Sequence, residues 1–291
     1  MTILCLGEPL VTLTPPPYTS LAVTDSAHLG VGGAELNVAI HLARLGHEVA
    51  YAGATGTDPF GVRIREALLA EGVDCTRLRD EAGATGLYCK EPGRTLYYRT
   101  DSAGSRLPTL TTQTLLDVDQ VHLTGVTLGL SGPIVATAEA LCVRPRTWRL
   151  SFDVNYRPAL WTADVAGPAL LGVARAADLV FVGRDEADAL WDVTDRDEIR
   201  ALVGTDAELV VKDGGLPVDI WANGQWWQSA PPPVEVAEPV GAGDAFAAAY
   251  LGTRRSGSDP ITAAECGHRL AAQVLGCVSD QGVREAAAYR S

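Results

Sequence analysis

Between residues 121 and 212 the chain alternates short apolar runs with longer stretches of helical spacing, and this rhythm restricts the fold more than any other feature. The runs at 121–123, 150–153, 179–182 and 209–212 have the length of buried strands. The stretches at 133–142, 167–176, 185–191 and 196–203 read as the helices between them. A strand that returns through a helix pairs in parallel with the next, so the alternation predicts an α/β fold: a mostly parallel sheet with helices on both faces. At 291 residues the chain can bury a core of that size, as one large domain or two smaller ones.

The flanking segments fit the same plan. Residues 3–7 form a short apolar run ended by Gly7, a first buried strand. Residues 8–29 are irregular and broken by Pro15-Pro16-Pro17, which suggests edge strands or an excursion from the sheet. A helix is predicted over 34–45 before Gly46, a strand over 49–52, and a helix over 59–71 with proline in its first turn and Gly72 beyond its end. Residues 87–90 and 95–100 flank Glu91-Pro92-Gly93-Arg94, a hairpin signal. These strands are polar and aromatic and precede the alternation, so they read as a flap over the sheet. A second hairpin joins 218–222 to 225–228 at Asn223-Gly224, and the last helices span 245–254 and 261 to about 278.

Charge and cysteines narrow the function. A net charge of −13 argues against a nucleic-acid surface or an anionic membrane as the main partner; an anionic ligand would need a local basic pocket. Six cysteines are scattered without CxxC pairs or zinc spacing, as buried thiols in a reducing cytoplasm would be. The N-terminus lacks a basic segment before its apolar run and turns polar at Glu8, unlike a signal peptide, and no run approaches membrane-spanning length.

GxxxxGK[ST], HExxH and GxSxG are all missing, and Gly30-Val31-Gly32-Gly33 lacks the third glycine of a dinucleotide loop. Four stretches remain. In Glu238-Pro239-Val240-Gly241-Ala242-Gly243-Asp244-Ala245-Phe246, two glycines let the backbone turn at a helix start, where bare N–H groups and the helix dipole suit a phosphate. Asp244 beside those donors makes sense as a base that takes a proton from an attacking hydroxyl; it makes equal sense as an acidic residue favoured by the dipole. Gly32-Gly33 precede a helix, and Asn37 lies one turn into it, where an amide needs a partner. On the flap, Tyr97 and Arg99 share a strand face and Tyr88 lies on the partner strand, a set suited to a polyhydroxylated or carboxylated ligand or to a merely solvated face. Asp153, Asn155 and Arg157 follow a parallel strand at its carboxyl end, where such sheets bind ligands.

Together these stretches resemble the ribokinase-like, or PfkB-type, carbohydrate kinases. Gly32-Gly33-Ala34-Glu35-Leu36-Asn37-Val38-Ala39, continued by Leu42-Ala43-Arg44-Leu45-Gly46, resembles the first signature of that family, and Pro239 through Phe246 resembles the second. Gly7-Glu8-Pro9-Leu10, Thr85-Gly86-Leu87-Tyr88, Tyr97-Tyr98-Arg99 and Asp153-Val154-Asn155-Tyr156-Arg157 are most similar to the 2-keto-3-deoxygluconate kinases. The resemblance spans essentially the whole chain. It implies a three-layer α/β/α domain over 1–291 with a β-strand lid made from about 9–31 and 84–106. It implies an acceptor set of Gly33, Asn37, Tyr88, Tyr97, Arg99, Asp153 and Arg157, with Asp244 as base and Gly241, Ala242 and Gly243 as the anion hole. Lys212, Gly214 and Gly215 would join Gly241 and Gly243 around ATP, Glu186 would face magnesium, a monovalent cation is a further candidate, and the lids could pair two copies. Three departures stand out. Gly183 replaces the asparagine of Asn-x-x-Glu, Pro217 replaces the second glycine of the nucleotide loop, and Gly282-Val283 stands where the sugar-acid kinases carry Gly-Asp, which removes an expected carboxylate.

Overall fold

A computed structural model describes residues 1–16, 19–107, 115, 117–277 and 279–282. Val278 and Val283, each part of an expectation above, lie outside the described residues. The strands β1 (Thr2–Leu6), β2 (Leu10–Thr14) and β3 (His28–Gly32) precede helix α1 (Ala34–Arg44), β4 (Glu48–Thr55), α2 (Pro59–Ala70) and β5 (Asp74–Asp80). The hairpin β6 (Leu87–Glu91) and β7 (Arg94–Tyr98) follows, then β8 (Val118–Thr124), the short α3 (Gly125–Leu128), α4 (Gly132–Cys142), β9 (Arg149–Asp153) and α5 (Ala163–Ala176). The chain continues through β10 (Leu179–Gly183), α6 (Arg184–Trp191), α7 (Arg196–Val203), β11 (Glu208–Lys212), β12 (Val218–Ala222) and β13 (Gln225–Ser229). Helices α8 (Ala242–Arg255) and α9 (Pro260–Leu275) complete it.

Nine strands form the main sheet in the order β13-β12-β11-β10-β9-β8-β1-β4-β5, parallel from β11 to β5 and antiparallel only where β12 and β13 are added at one edge. Alternate residues of each strand feed opposite cores, as the pleat requires. Leu4, Leu6, Val121, Leu123, Val180, Val182, Leu209 and Val211 pack beneath α4 to α7. Ile3, Cys5, Phe181, Val210 and Ile220 pack beneath α1, α2, α8 and α9. Both faces are therefore apolar, which explains why the sequence shows continuous apolar runs instead of alternation. Aspartates cap three helices by accepting backbone N–H groups: Asp58 on α2, Asp195 on α7 and Asp259 on α9.

A second sheet, in the order β3-β2-β6-β7, stands beside the first. Its register sets Gly30, Thr12, Tyr88 and Tyr97 in one row and Val31, Val11 and Leu87 in the next, facing opposite sides. The Val11 side rests on the core of α1 and α2, and the Tyr88 side is left to build a site.

The sequence reading passes over β5, whose Asp-Cys-Thr-Arg-Leu-Arg-Asp buries only Cys75 and Leu78 at a sheet edge. It starts α5 at Gly167, whereas the helix begins at Ala163 and carries Pro168 inside. It starts α8 at Ala245, three residues late, so Ala242 and Gly243 belong to the first turn of the helix itself.

Candidate active site

The carboxyl ends of the parallel strands converge on the start of α8. Gly241 caps that helix with φ of 88°. A Cβ there would lie 2.5 Å from the carbonyl oxygen of Asp280, so both conformation and space call for glycine. Ala245 N–H makes the first return bond, to the Gly241 carbonyl, so the N–H groups of Gly243 and Asp244 have no carbonyl of their own helix to bond. Gly243 is exposed, so these donors front on solvent.

Asp244 is half-buried in the same turn. Its Oδ2 accepts from Asn37 Nδ2 at 2.8 Å. Asn37 is buried in α1, and its partner is the helix that carries the second glycine pair. Burial pushes the Asp244 carboxyl up to about 7, against the pull of the Asn37 hydrogen bond and of Arg157 and Lys212, while Asp153 adds repulsion. A carboxylate at that value can take a proton near neutral pH.

Beside it, Lys212 at the end of β11 bonds both oxygens of Asp153 at the end of β9, at 2.8 and 3.0 Å. Burial lowers the Lys212 ammonium, but Asp153 and Glu186 more than offset it and hold it charged. Its Nζ also reaches within 3.9 Å of where a Cβ on Gly243 would stand, so one cation borders both the carboxylate pair and the bare amides. Asp153 is thus spent largely on Lys212. Glu186, in the first turn of α6, accepts the N–H of Gly183 at 2.7 Å and that of Tyr156 at 3.1 Å. Gly214 and Gly215 have open space where a Cβ would be, and Arg184 ties the start of their loop down through Asp213, at 2.9 Å, and Asp219, at 3.1 Å.

The residues expected to bind an acceptor are less uniform in their surroundings. The Arg99 guanidinium is held through Nε and Nη2 by Glu8, whose other oxygen takes the Ser102 hydroxyl. Burial raises the Glu8 carboxyl, and Arg99 and Ser102 act against that. Arg99 is thus half of a buried pair, and Glu8 is a residue the sequence reading quoted without assigning. Arg99 also borders a cavity of about 580 Å³ with Ser105, Arg106, Ser131 and Leu160. Tyr97 keeps 47% of its surface exposed, with its ring 5.5 Å from Tyr88. Arg157, 51% exposed, is the freer of the two arginines and lies 3.9 Å from Glu186. Gly33, with φ of 128°, brings its backbone against Glu8.

The expected loss of a carboxylate at Gly282-Val283 rests on Val283, outside the described residues, but a different carboxylate lies close by. Asp280, two residues before Gly282, buries its side chain against the Tyr88 hydroxyl and Lys90 Nζ. The sequence reading did not single out Asp280 or Gln281, since no motif or spacing marks them. A second cavity, of about 350 Å³, adjoins them between Thr12, His28 and Ser279.

With this geometry in place, the sequence itself matches the pfkB family carbohydrate kinase profile over residues 2–287. A 2-dehydro-3-deoxygluconokinase of Thermoproteus tenax is 32% identical over 300 residues, covering 96% of this chain and 90% of that protein. The 2-dehydro-3-deoxygluconokinase of Escherichia coli (strain K12) is 29% identical over 273 residues, covering 84% and 88%. The crystal structure of a PfkB protein from Polaromonas sp. JS666 superimposes with a TM-score of 0.85 at 30% identity, covering 94% of this chain and 95% of that one. The chain belongs to the pfkB family of carbohydrate kinases. It is an enzyme that phosphorylates a sugar, built on the ribokinase-like fold.

Proposed function

We propose that the chain transfers the terminal phosphoryl group of ATP to a primary hydroxyl of a sugar acid, 2-keto-3-deoxygluconate (2-dehydro-3-deoxygluconate), in the cytoplasm. The observation that carries the reading is the half-buried Asp244 carboxyl, at about 7, in the same helical turn as the unbonded N–H groups. Asp244 takes the hydroxyl proton as the oxygen attacks the γ-phosphorus. The bond from that phosphorus to the bridging oxygen breaks, and ADP leaves with the electron pair. The Gly243 and Asp244 amides and Lys212 steady the charge on the transferring group, and most of the acceleration comes from alignment and electrostatics.

Gly214, Gly215 and Lys212 form the nucleotide side in this reading, with the bare turn at Gly241 and Gly243. Glu186 keeps acceptor capacity beyond its two backbone donors. Among the described residues, no group of three His, Cys, Asp or Glu side chains could hold a metal alone. That donor set fits magnesium shared with nucleotide phosphates and water, held by Glu186, and does not fit a protein-only cage. Magnesium would neutralise phosphate charge there. Arg157, half exposed, and the exposed Tyr97 support an acid as acceptor, since they offer positive charge and a hydroxyl in a chain of net charge −13, whereas Arg99 is already paired with Glu8 and the buried Tyr88 hydroxyl is taken by Asp280. The named relatives above support the same choice.

Sugar-dependent ADP release across 2-keto-3-deoxygluconate, fructose, ribose and adenosine tests the substrate, and Asp244→Asn tests the chemistry. The acid should give the highest kcat/KM, and the variant should lose about 10²–10⁴-fold in kcat with little change in acceptor binding. Preference for a neutral sugar would overturn the substrate, and near-normal turnover by the variant would remove Asp244 from the reaction.

A further inference from the structure

The turn at 279–282 touches both halves of the site through adjacent residues. Asp280 serves the lid side. Its carboxylate pairs with Lys90 Nζ at 2.6 Å and takes the Tyr88 hydroxyl, and both partners come from one face of β6. Lys90 is only 6% exposed, and Glu238 lies 3.9 Å from the same ammonium. Gln281 serves the other side. Its Nε2 donates to the Val31 carbonyl at 2.9 Å and to Asn37 Oδ1 at 2.5 Å. Asn37 in turn donates from Nδ2 to Asp244. The turn also packs directly against the cap of α8, because the Asp280 backbone fills the space beside Gly241.

An amide side chain has two unlike ends, and rotation exchanges them. Asn37 can donate to Asp244 only while its oxygen faces away, and the Gln281 donor fixes that orientation. Lys90 and Tyr88 fix Asp280, and hence the turn that carries Gln281.

We propose that Asp280-Gln281 couples the lid to the reaction: Gln281 is a positioning residue that sets Asn37 and, through it, Asp244, while Lys90 and Asp280 hold the turn in register with the seated lid. The proposal rests on Asp244 as the base. The groups that face Asp244 are Asn37 from α1, Asp153 from the end of β9, Arg157 from the loop that follows and Lys212 from the end of β11. Gln281 touches none of the charged ones, so its influence runs through Asn37, which also faces the Asp280 carboxyl, pushed up by burial to about 7.

Gln281→Met keeps the length of the side chain and removes the donor. In the full-length protein, with ATP, magnesium and acceptor, kcat should fall about tenfold while both KM values stay within about twofold. The acid limb of the kcat profile should move upward by about half a pH unit or more, because a donor that favours the ionised carboxyl is weakened. Asn37→Ala should produce the same shift, and the double variant should lose no more than Asn37→Ala alone. Lys90→Met, which removes the Asp280 pair and the neighbouring Glu238 contact, should raise the acceptor KM about fivefold and lower kcat about threefold. Losses that add in the double variant, or an unmoved acid limb in Gln281→Met with a wild-type melting temperature, would overturn the relay. If Gln281→Met fails to fold, Lys90→Met decides: a lowered kcat supports the coupling and an unchanged one overturns it. Near-normal turnover of Asp244→Asn would instead remove the reading on which the proposal stands.

Discussion

The proposed phosphoryl side and the proposed lid side of the cleft are assembled from different material. On the first, Asp153, Glu186, Lys212 and Asp244 each project from the end of a strand or the first turn of a helix anchored in the two-faced core. On the second, Tyr88, Tyr97 and Arg99 belong to or follow a four-stranded sheet with one side on a core, and their arrangement depends on Glu8 and Asp280, each buried. Rigid element ends suit chemistry that tolerates little misplacement. A thin sheet braced by ion pairs suits recognition, because it can be rebuilt without disturbing the transfer.

Three measurements would break or sharpen that contrast. The largest effect is expected at Lys212. Lys212→Met strands Asp153, buried and two-oxygen bonded, with an uncompensated charge. Unfolding by urea at pH 7 should show a loss of about 3–5 kcal/mol. A loss below about 1 kcal/mol would mean that the strand ends are not the stiffer half.

Next comes the stability cost of the Asp244 charge. Its folded value, about 7, lies above the ordinary 3.8, so the folded state holds the proton more tightly than the unfolded chain. The stability linked to that proton is full below about pH 4 and is lost as pH rises through 7. Asp244→Asn should therefore be more stable than wild type at pH 8, by about 2–4 kcal/mol, with the accessible face of the carboxyl favouring the lower figure. The gap should close below pH 4. Equal stability at pH 8 would show that the carboxyl is not strained by its surroundings.

The smallest effect is expected at the lid. Glu8→Gln keeps the shape but removes the charge that holds Arg99. Acceptor KM should rise about tenfold, with kcat within about threefold of wild type. A matching fall in kcat would erase the division between the two halves.

Much of the large sheet was readable because parallel strands buried on both faces leave short apolar runs with little ambiguity, as at 179–182 and 209–212. Strand β5 escaped because an edge strand buries little, and the early start of α8 was hidden by glycines that weaken a helical signal. At the site, Asp244 and Asn37 stood out as polar residues in apolar helices, and each is the other's partner across 207 positions. Glu8 and Arg99 are 91 positions apart, and Tyr88 and Asp280 are 192 apart. Such pairs leave no local pattern. Only the tertiary fold reveals that a guanidinium already has a carboxylate, or that Asp280 closes on Tyr88 and Lys90 of the second sheet.

Glu8 has a further consequence. A methyl on Gly104 would overlap its side chain, and one on Gly86 would come within 2.8 Å of its Oε1. Two glycines from the lid segment thus form a socket moulded to one glutamate. Across homologues these three positions should drift together, with a shorter acid at 8 accompanying alanine at 86 or 104, and acceptor preference would be the trait that such correlated exchanges retune.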